Sequence, residues 1–212
     1  MTLNEEIDAL PEMFRCATAA QDPEPTSYAV LAPEQKDELA RVVAQKRVVD
    51  LGAGNMALSI EMIEMGAAHV TALDYVESRH PRALAFASRL SVVRSMFHDV
   101  VDDLETADIA VLSWPQNTTH DALEIVQILR KHPRVAVISK NTDGVSCGCT
   151  LIYEYLATRE LLAYHPRRAN TLMVYGAPCA PRPMAGEERA GMAPRSLHKP
   201  IIRYEELNEV LP

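Results

Sequence analysis

The chain has 212 residues, enough for one domain around one sizeable core. Apolar residues make up 48% and charged residues 24%, the balance of an ordinary globular protein, and no apolar run approaches the length of a membrane span. The formal net charge of −8 argues against a broad nucleic-acid footprint, which needs a basic surface to neutralise phosphates, but it leaves room for a local basic patch.

The first residues, Met-Thr-Leu-Asn-Glu-Glu-Ile-Asp, are acidic and lack the basic start and apolar core of a secretory signal. Cys16, Cys147, Cys149 and Cys179 follow no disulfide framework spacing, so reduced thiols and a cytoplasmic location are expected. Cys147-Gly-Cys149 has no second close pair with histidines, and no metal site is expected from it. Residues 5–20 carry Ile7, Leu10, Met13 and Phe14 at helical spacing, interrupted by Pro11; residues 21–27 are a turn-rich linker. Pro33 sits at the favoured first position of a second helix, whose buried stripe is Leu39, Val42 and Val43.

Residues 47–75 hold the most informative pattern. Val48 and Val49 suit a buried strand, Gly52 and Gly54 a tight turn, and residues 55–65 a helix that Gly66 stops. Residues 70–73 form a second strand ending on Asp74. Strand, glycine turn, helix, strand and acid together make a unit that binds a nucleoside-bearing cofactor, with the helix N-terminus offering N–H groups and the acid accepting ribose hydroxyls. Gly52-Ala53-Gly54-Asn55-Met56-Ala57 also satisfies the dinucleotide fingerprint G-x-G-x-x-G/A. Asp50 shifts the weighing. Two residues before the first glycine, its carboxylate would repel a pyrophosphate and attract the ammonium and sulfonium of S-adenosylmethionine; its competing use is to cap the turn or the following helix.

In Val49-Asp50-Leu51-Gly52-Ala53-Gly54 the chain resembles the class I S-adenosylmethionine-dependent methyltransferases. The resemblance implies that Asp50, Gly52, Ala53 and Gly54 form the cofactor turn and that Asp74 is the ribose acid. Tyr75, next to it, would pack on the adenine or else be a surface aromatic. Tyr28 would approach the site from the preceding segment, or simply pack. A third strand at 92–97 ends His98-Asp99, which places Asp99 where the family binds the adenine amine; an Asp there could equally begin a turn.

Arg79, His80 and Arg82, followed by Arg89 and Arg94, form a first basic cluster: a solvated start to a helix over 81–90 with Leu84 and Ala87 inward, or a contact for phosphate or an acidic substrate. The fourth strand, 109–112, ends Ser113-Trp114-Pro115-Gln116-Asn117, where the family brings acceptor and methyl group together. Ser113 and Trp114 are therefore the candidate catalytic residues, although their order departs from the Asn/Asp/Ser-Pro-Pro-aromatic run of amine methyltransferases. Thr119 can cap a helix carrying Ala122, Ile125, Val126 and Leu129 on one face. A fifth strand at 135–139 leads to a loop with Lys140 and Asp143, then a helix at 150–159 and a hairpin of 161–165 with 171–175. His98, His120 and Asp143 are possible bases.

A closing antiparallel pair ends the methyltransferase sheet, whereas the common dinucleotide fold ends on a parallel sixth strand. The expected architecture is therefore an α/β, single-domain, Rossmann-like doubly wound sheet of seven mostly parallel strands with a C-terminal antiparallel hairpin. Residues 1–32 form an N-terminal helical segment and linker, 33–176 the S-adenosylmethionine-binding domain, and 177–212 a Pro-rich tail with basic Arg182, Arg189, Arg195, His198 and Lys199 and a short final helix. The expected activity is methyl transfer from S-adenosylmethionine to an acceptor (protein, nucleic acid or small molecule) that the sequence does not name. An inactive methyltransferase-like binding subunit and an NAD-dependent oxidoreductase are the alternatives.

Overall fold

The computed structural model describes residues 29–75, 80–114, 121–142, 145–146 and 150–179. The expected helix at 5–20, Tyr28, Arg79, residues 115–120, Asp143, the Cys147–Cys149 pair and the tail beyond Cys179 lie outside the described residues.

Helix α1 (Pro33–Val43) has Pro at its first position and the reciprocal bond of Gln35 Oε1 accepting the Ala32 N–H at 3.0 Å. It buries Leu39, Val42 and Val43, the expected stripe, together with Gln35. Strand β1 (Arg47–Leu51) follows, then α2 (Ala57–Glu64), β2 (His69–Asp74), a 3-10 turn (Ala83–Phe86), β3 (Leu90–Arg94), α3 (Phe97–Val100) and β4 (Ile109–Ser113). The second half comprises α4 (Ala122–Arg130), β5 (Arg134–Thr142), the two-residue β6 (Val145–Ser146), α5 (Thr150–Leu156), β7 (Arg159–Pro166) and β8 (Asn170–Pro178).

The strands run in the order β3-β2-β1-β4-β5-β8-β7, with β6 beside β5. β1 pairs in parallel with β2 and β4, β2 with β3, and β4 with β5; β8 inserts antiparallel between β5 and β7. The chain doubles back at β1 and β4, the topological switch point of an open α/β sheet, so the crevice at the carboxyl ends of those strands is where a ligand binds in this architecture. The central strands are buried on both faces and read as continuous apolar runs, such as Ile109-Ala110-Val111-Leu112. Alternate residues feed two cores: Val48, Val111 and Ile138 pack beneath α1 and α2, while Val49, Leu112 and Val137 pack beneath α4 and α5.

Four local expectations change. Helix α2 begins at Ala57 rather than at residue 55, because Met56 takes a left-handed backbone (φ 61°) and the Asn55 side chain accepts the Ala57 N–H at 3.0 Å. The segment 81–90 makes a single 3-10 turn in place of a helix; its i, i+3 pairing turns Ala83 and Phe86 to the core and leaves Leu84 88% exposed. β3 stops at Arg94, where the Ser95 N–H bonds to Asp74 O at 3.0 Å, so Asp99 falls on α3 and not at a strand end. Lys140 belongs to β5 itself.

Candidate cofactor and acceptor site

The glycine turn is stitched to the end of β2. Gly52 and Ala53 both donate to Leu73 O, at 2.9 and 3.1 Å, and Gly54 donates to Asp74 Oδ2 at 2.8 Å. Gly52 and Gly54 have φ of 74° and 54°, a left-handed backbone that side-chain-bearing residues enter only at a cost. Asp74 thus fixes the shape of the turn as well as standing where a ribose acid would stand. Tyr75 is next to it and half-buried; its hydroxyl is pushed up to about 12, first by desolvation and then by Asp74 and Asp121.

Asp50 lies under the turn, 1% exposed. Its Oδ2 accepts the Ser59 hydroxyl at 2.6 Å, while Oδ1 is buried with no hydrogen-bond partner. Desolvation raises the carboxyl to about 7; the Ser59 bond opposes this and Asp74 adds to it. The Asp50 side chain caps neither the turn nor α2, which Asn55 serves. Ser59 is the only polar side chain among the buried residues of α2, a signal the sequence carried nine positions downstream of Asp50.

Ser113 closes β4, and its hydroxyl is sealed from solvent without a hydrogen-bond partner. Trp114 follows with φ 48°, its N–H bonded to Ile138 O at 2.7 Å and its indole N–H to Asn170 Oδ1 at 2.9 Å. Lys140 Nζ stands 4.7 Å from the Trp114 ring centroid. These contacts join residues 26 and 56 positions apart, and no local pattern foretells them. The structure therefore gathers Asp50, Gly52, Ala53, Gly54, Asp74, Tyr75, Ser113 and Trp114 at the carboxyl ends of β1, β2 and β4. Asp99 sits apart on α3, half exposed beside His98 at 3.3 Å.

The basic cluster is largely taken up by the fold. Arg82 pairs with Glu64 and lies over Phe86, Arg89 donates to Ile63 O and Ala67 O at the end of α2, and Arg94 donates to Tyr75 O at 3.3 Å. His80 is buried, and its Nδ1 accepts the Arg82 N–H at 3.2 Å. No group of three metal-capable side chains occurs among the described residues. No helix among them is long and apolar enough to cross a membrane.

No protein-family model matches the sequence, and no curated protein matches it. Solved structures do. "Putative methyltransferase yhhF" from Escherichia coli superposes with a TM-score of 0.53 at 16% identity, over 74% of this chain and 92% of that one. A "putative RNA methyltransferase" from Pyrococcus horikoshii gives 0.54 at 14% identity, over 84% and 98%. The 1,6-didemethyltoxoflavin-N1-methyltransferase of Burkholderia thailandensis, solved with its namesake compound and S-adenosylhomocysteine, gives 0.51 at 18% identity, over 68% and 79%. At this level of identity the likeness establishes the fold: the chain has the Rossmann-like architecture of class I methyltransferases, with the strand order and antiparallel β8 described above.

Proposed function

We propose that this chain is an S-adenosylmethionine-dependent methyltransferase. The observation that carries the reading is Asp50, a buried carboxylate with an orphaned oxygen directly before a glycine turn at the switch point. Such a group favours a cationic ligand, which would hold it ionised, and disfavours the pyrophosphate of a nicotinamide dinucleotide. The antiparallel β8 supports the same choice. Asp50 would attract the ammonium and sulfonium, the amides of residues 52–54 would line the ligand, Asp74 would take ribose hydroxyls, and Tyr75 would cover the adenine. Asp99 has no strand-end geometry to support its adenine role.

When bound, the cofactor supplies a methyl carbon already made electrophilic by the sulfonium. The chain's task is then alignment: Ser113 and Trp114 would hold the acceptor in line, and proximity and orientation carry most of the acceleration. A base is needed only for an acceptor protonated in its ground state. Among the described residues the candidate base His98 lies on α3, half exposed beside Asp99. The lack of disulfide-framework spacing among the four cysteines supports a cytoplasmic place of action.

Calorimetric titration with S-adenosylhomocysteine and, separately, with NAD tests the reading. Saturable binding of the first alone is expected. Binding of NAD alone would move the chain to the oxidoreductases, and binding of neither would make it a methyltransferase-like subunit without turnover.

A further inference from the structure

We propose that Trp114, Lys140 and Asn170 form a platform that selects a planar group carrying negative charge as the acceptor. The word acceptor rests on the methyl-transfer reading; the platform itself rests on geometry. β4, β5 and β8 are neighbours, and Asn170 pairs across the ladder with Lys140. The three side chains therefore meet at one end of three adjacent strands, where Ser113 also ends β4.

The ring is fixed from beneath. Trp114 has a left-handed backbone, a strained conformation that persists only where its surroundings impose it. The surroundings are buried amides. Asn170, 3% exposed, accepts the indole N–H and donates its own amide to Val30 O at 2.7 Å. The Asn170 carbonyl accepts Gln35 Nε2 at 3.0 Å, and Gln35 is 0% exposed. Aromatic, amide, amide and α1 thus form one bonded series that sets the plane of the indole.

The ring is charged from above. Lys140 is exposed and lies over the indole face, and no carboxylate partners it among the described residues. Lys36, Arg41, Arg47, Arg82 and Arg167 each have a glutamate, whereas Lys46, Arg130 and Arg134 share with Lys140 the lack of one among the described residues. What distinguishes Lys140 is its place, over the aromatic that ends β4, where its ammonium can meet an anion. A cation–π contact at an exposed site is weak, so an arriving anion can draw the ammonium off the ring. The vacated face then stacks on a π-plane while the ammonium pairs with the negative substituent. A neutral plane gains only the stacking, and a cationic one is repelled.

Trp114 is the chain's single tryptophan, so emission excited at the red edge, where tyrosine does not absorb, reads this platform alone. The wild-type protein is titrated with benzoate and with benzamide, the same ring with and without charge, at fixed ionic strength. Benzoate should change the emission saturably and bind about tenfold more tightly than benzamide, the ratio for one charge-assisted contact. Lys140→Gln should bring the two probes to equal affinity, and Lys140→Arg should restore the preference. Equal affinities in the wild type, a preference that survives in Lys140→Gln, or no saturable response to benzoate would overturn the proposal. S-adenosylhomocysteine titration of the same samples separates the two readings. Cofactor binding without the benzoate preference removes the platform alone, and the preference without cofactor binding removes the methyl-transfer reading alone.

Discussion

Two charges are buried at opposite ends of this sheet, and they are treated in opposite ways. Arg159 opens β7, at the end where β5 begins, and is 4% exposed. All five of its N–H groups are used: Nε on Gly176 O at 2.7 Å, Nη1 on Tyr155 Oη at 2.7 Å and Leu129 O at 3.4 Å, Nη2 on His132 O at 2.9 Å and Pro133 O at 2.8 Å. Asp50, under the glycine turn at the other end, has one oxygen bonded and one left without a partner. A saturated buried charge closes a structure. It caps the carboxyl end of α4, where a cation also meets the helix dipole favourably. An unsaturated buried carboxylate costs stability, and a fold tolerates that where a ligand completes the site. The neighbouring His132 Nε2 is also unpartnered, but burial lowers the ring's pKa and keeps it neutral, and a neutral nitrogen is far cheaper to leave so.

The largest test of the contrast is at the closed end. Arg159→Met should destabilise the protein by roughly 3–5 kcal/mol in urea unfolding, since it leaves several buried carbonyls without donors. Binding of S-adenosylhomocysteine to the variant that remains folded should be unchanged. A loss below about 1 kcal/mol would mean that water replaces the guanidinium there and that the end is not closed.

At the open end the expected effect is on binding. Asp74→Ala should weaken S-adenosylhomocysteine by about 1.5–3 kcal/mol, the range for hydrogen bonds to a charged group. Part of that loss belongs to the turn, because the Gly54 N–H loses its acceptor. Asp74→Asn keeps an acceptor for Gly54 and should lose less. A folded Asp74→Ala with full affinity would remove the ribose assignment.

Asp50 gives an effect on stability with a distinctive pH signature. Its carboxyl is at about 7 in the folded protein against about 3.9 unfolded, so the folded state holds the extra proton. Stability from this group is therefore full below about pH 4 and declines as pH rises toward 7. Asp50→Asn should remove the decline. The variant should gain stability over the wild type as pH rises from about 4 to about 7, with the difference vanishing near pH 4. His132 is common to both proteins and cancels. Binding of a cationic cofactor would release the proton, so wild-type affinity for S-adenosylmethionine should rise with pH through 7 by at most tenfold per pH unit, and the Asn variant should show no such slope. A wild type and variant with parallel stability profiles would show Asp50 to be ionised throughout.

The same contrast explains what could be read from the sequence. The glycine turn, its flanking acids and the strand order come from contiguous residues whose spacing carries the geometry: Asp50, Gly52, Gly54 and Asp74 are legible because strand, turn and helix are local. Where a residue's role depends on a distant partner, the pattern is silent. Arg159 reads as the last residue of a helix, yet its five acceptors lie on α4, α5, β8 and the turn between α4 and β5, and they draw it into β7. Asn170 falls outside the strands of the expected hairpin and is a buried bridge from Trp114 to Val30. Leu84 fails for the opposite reason. An apolar residue at helical spacing predicts an inward face, but a four-residue 3-10 turn has a different period, and Phe86 takes the inward place.

The smallest prediction concerns the basic cluster, where sequence leaves a phosphate contact open and structure shows a set of cations already occupied. Arg82 pairs with Glu64 with both side chains exposed by more than two-fifths, at 44% and 42%, and such pairs contribute only about 0.2–1 kcal/mol. Arg82→Gln should therefore cost no more than that in unfolding, and the cost should shrink further at high salt. It should leave both cofactor affinity and the benzoate preference of Trp114 intact, because Arg82 pairs with Glu64 at the carboxyl end of α2, the end away from the glycine turn. If Arg82→Gln instead weakened an anionic probe as strongly as Lys140→Gln, the anion would be reaching the glutamate-paired cations. Anion selection would then be a property of the β3 side of the sheet, away from the aromatic that ends β4.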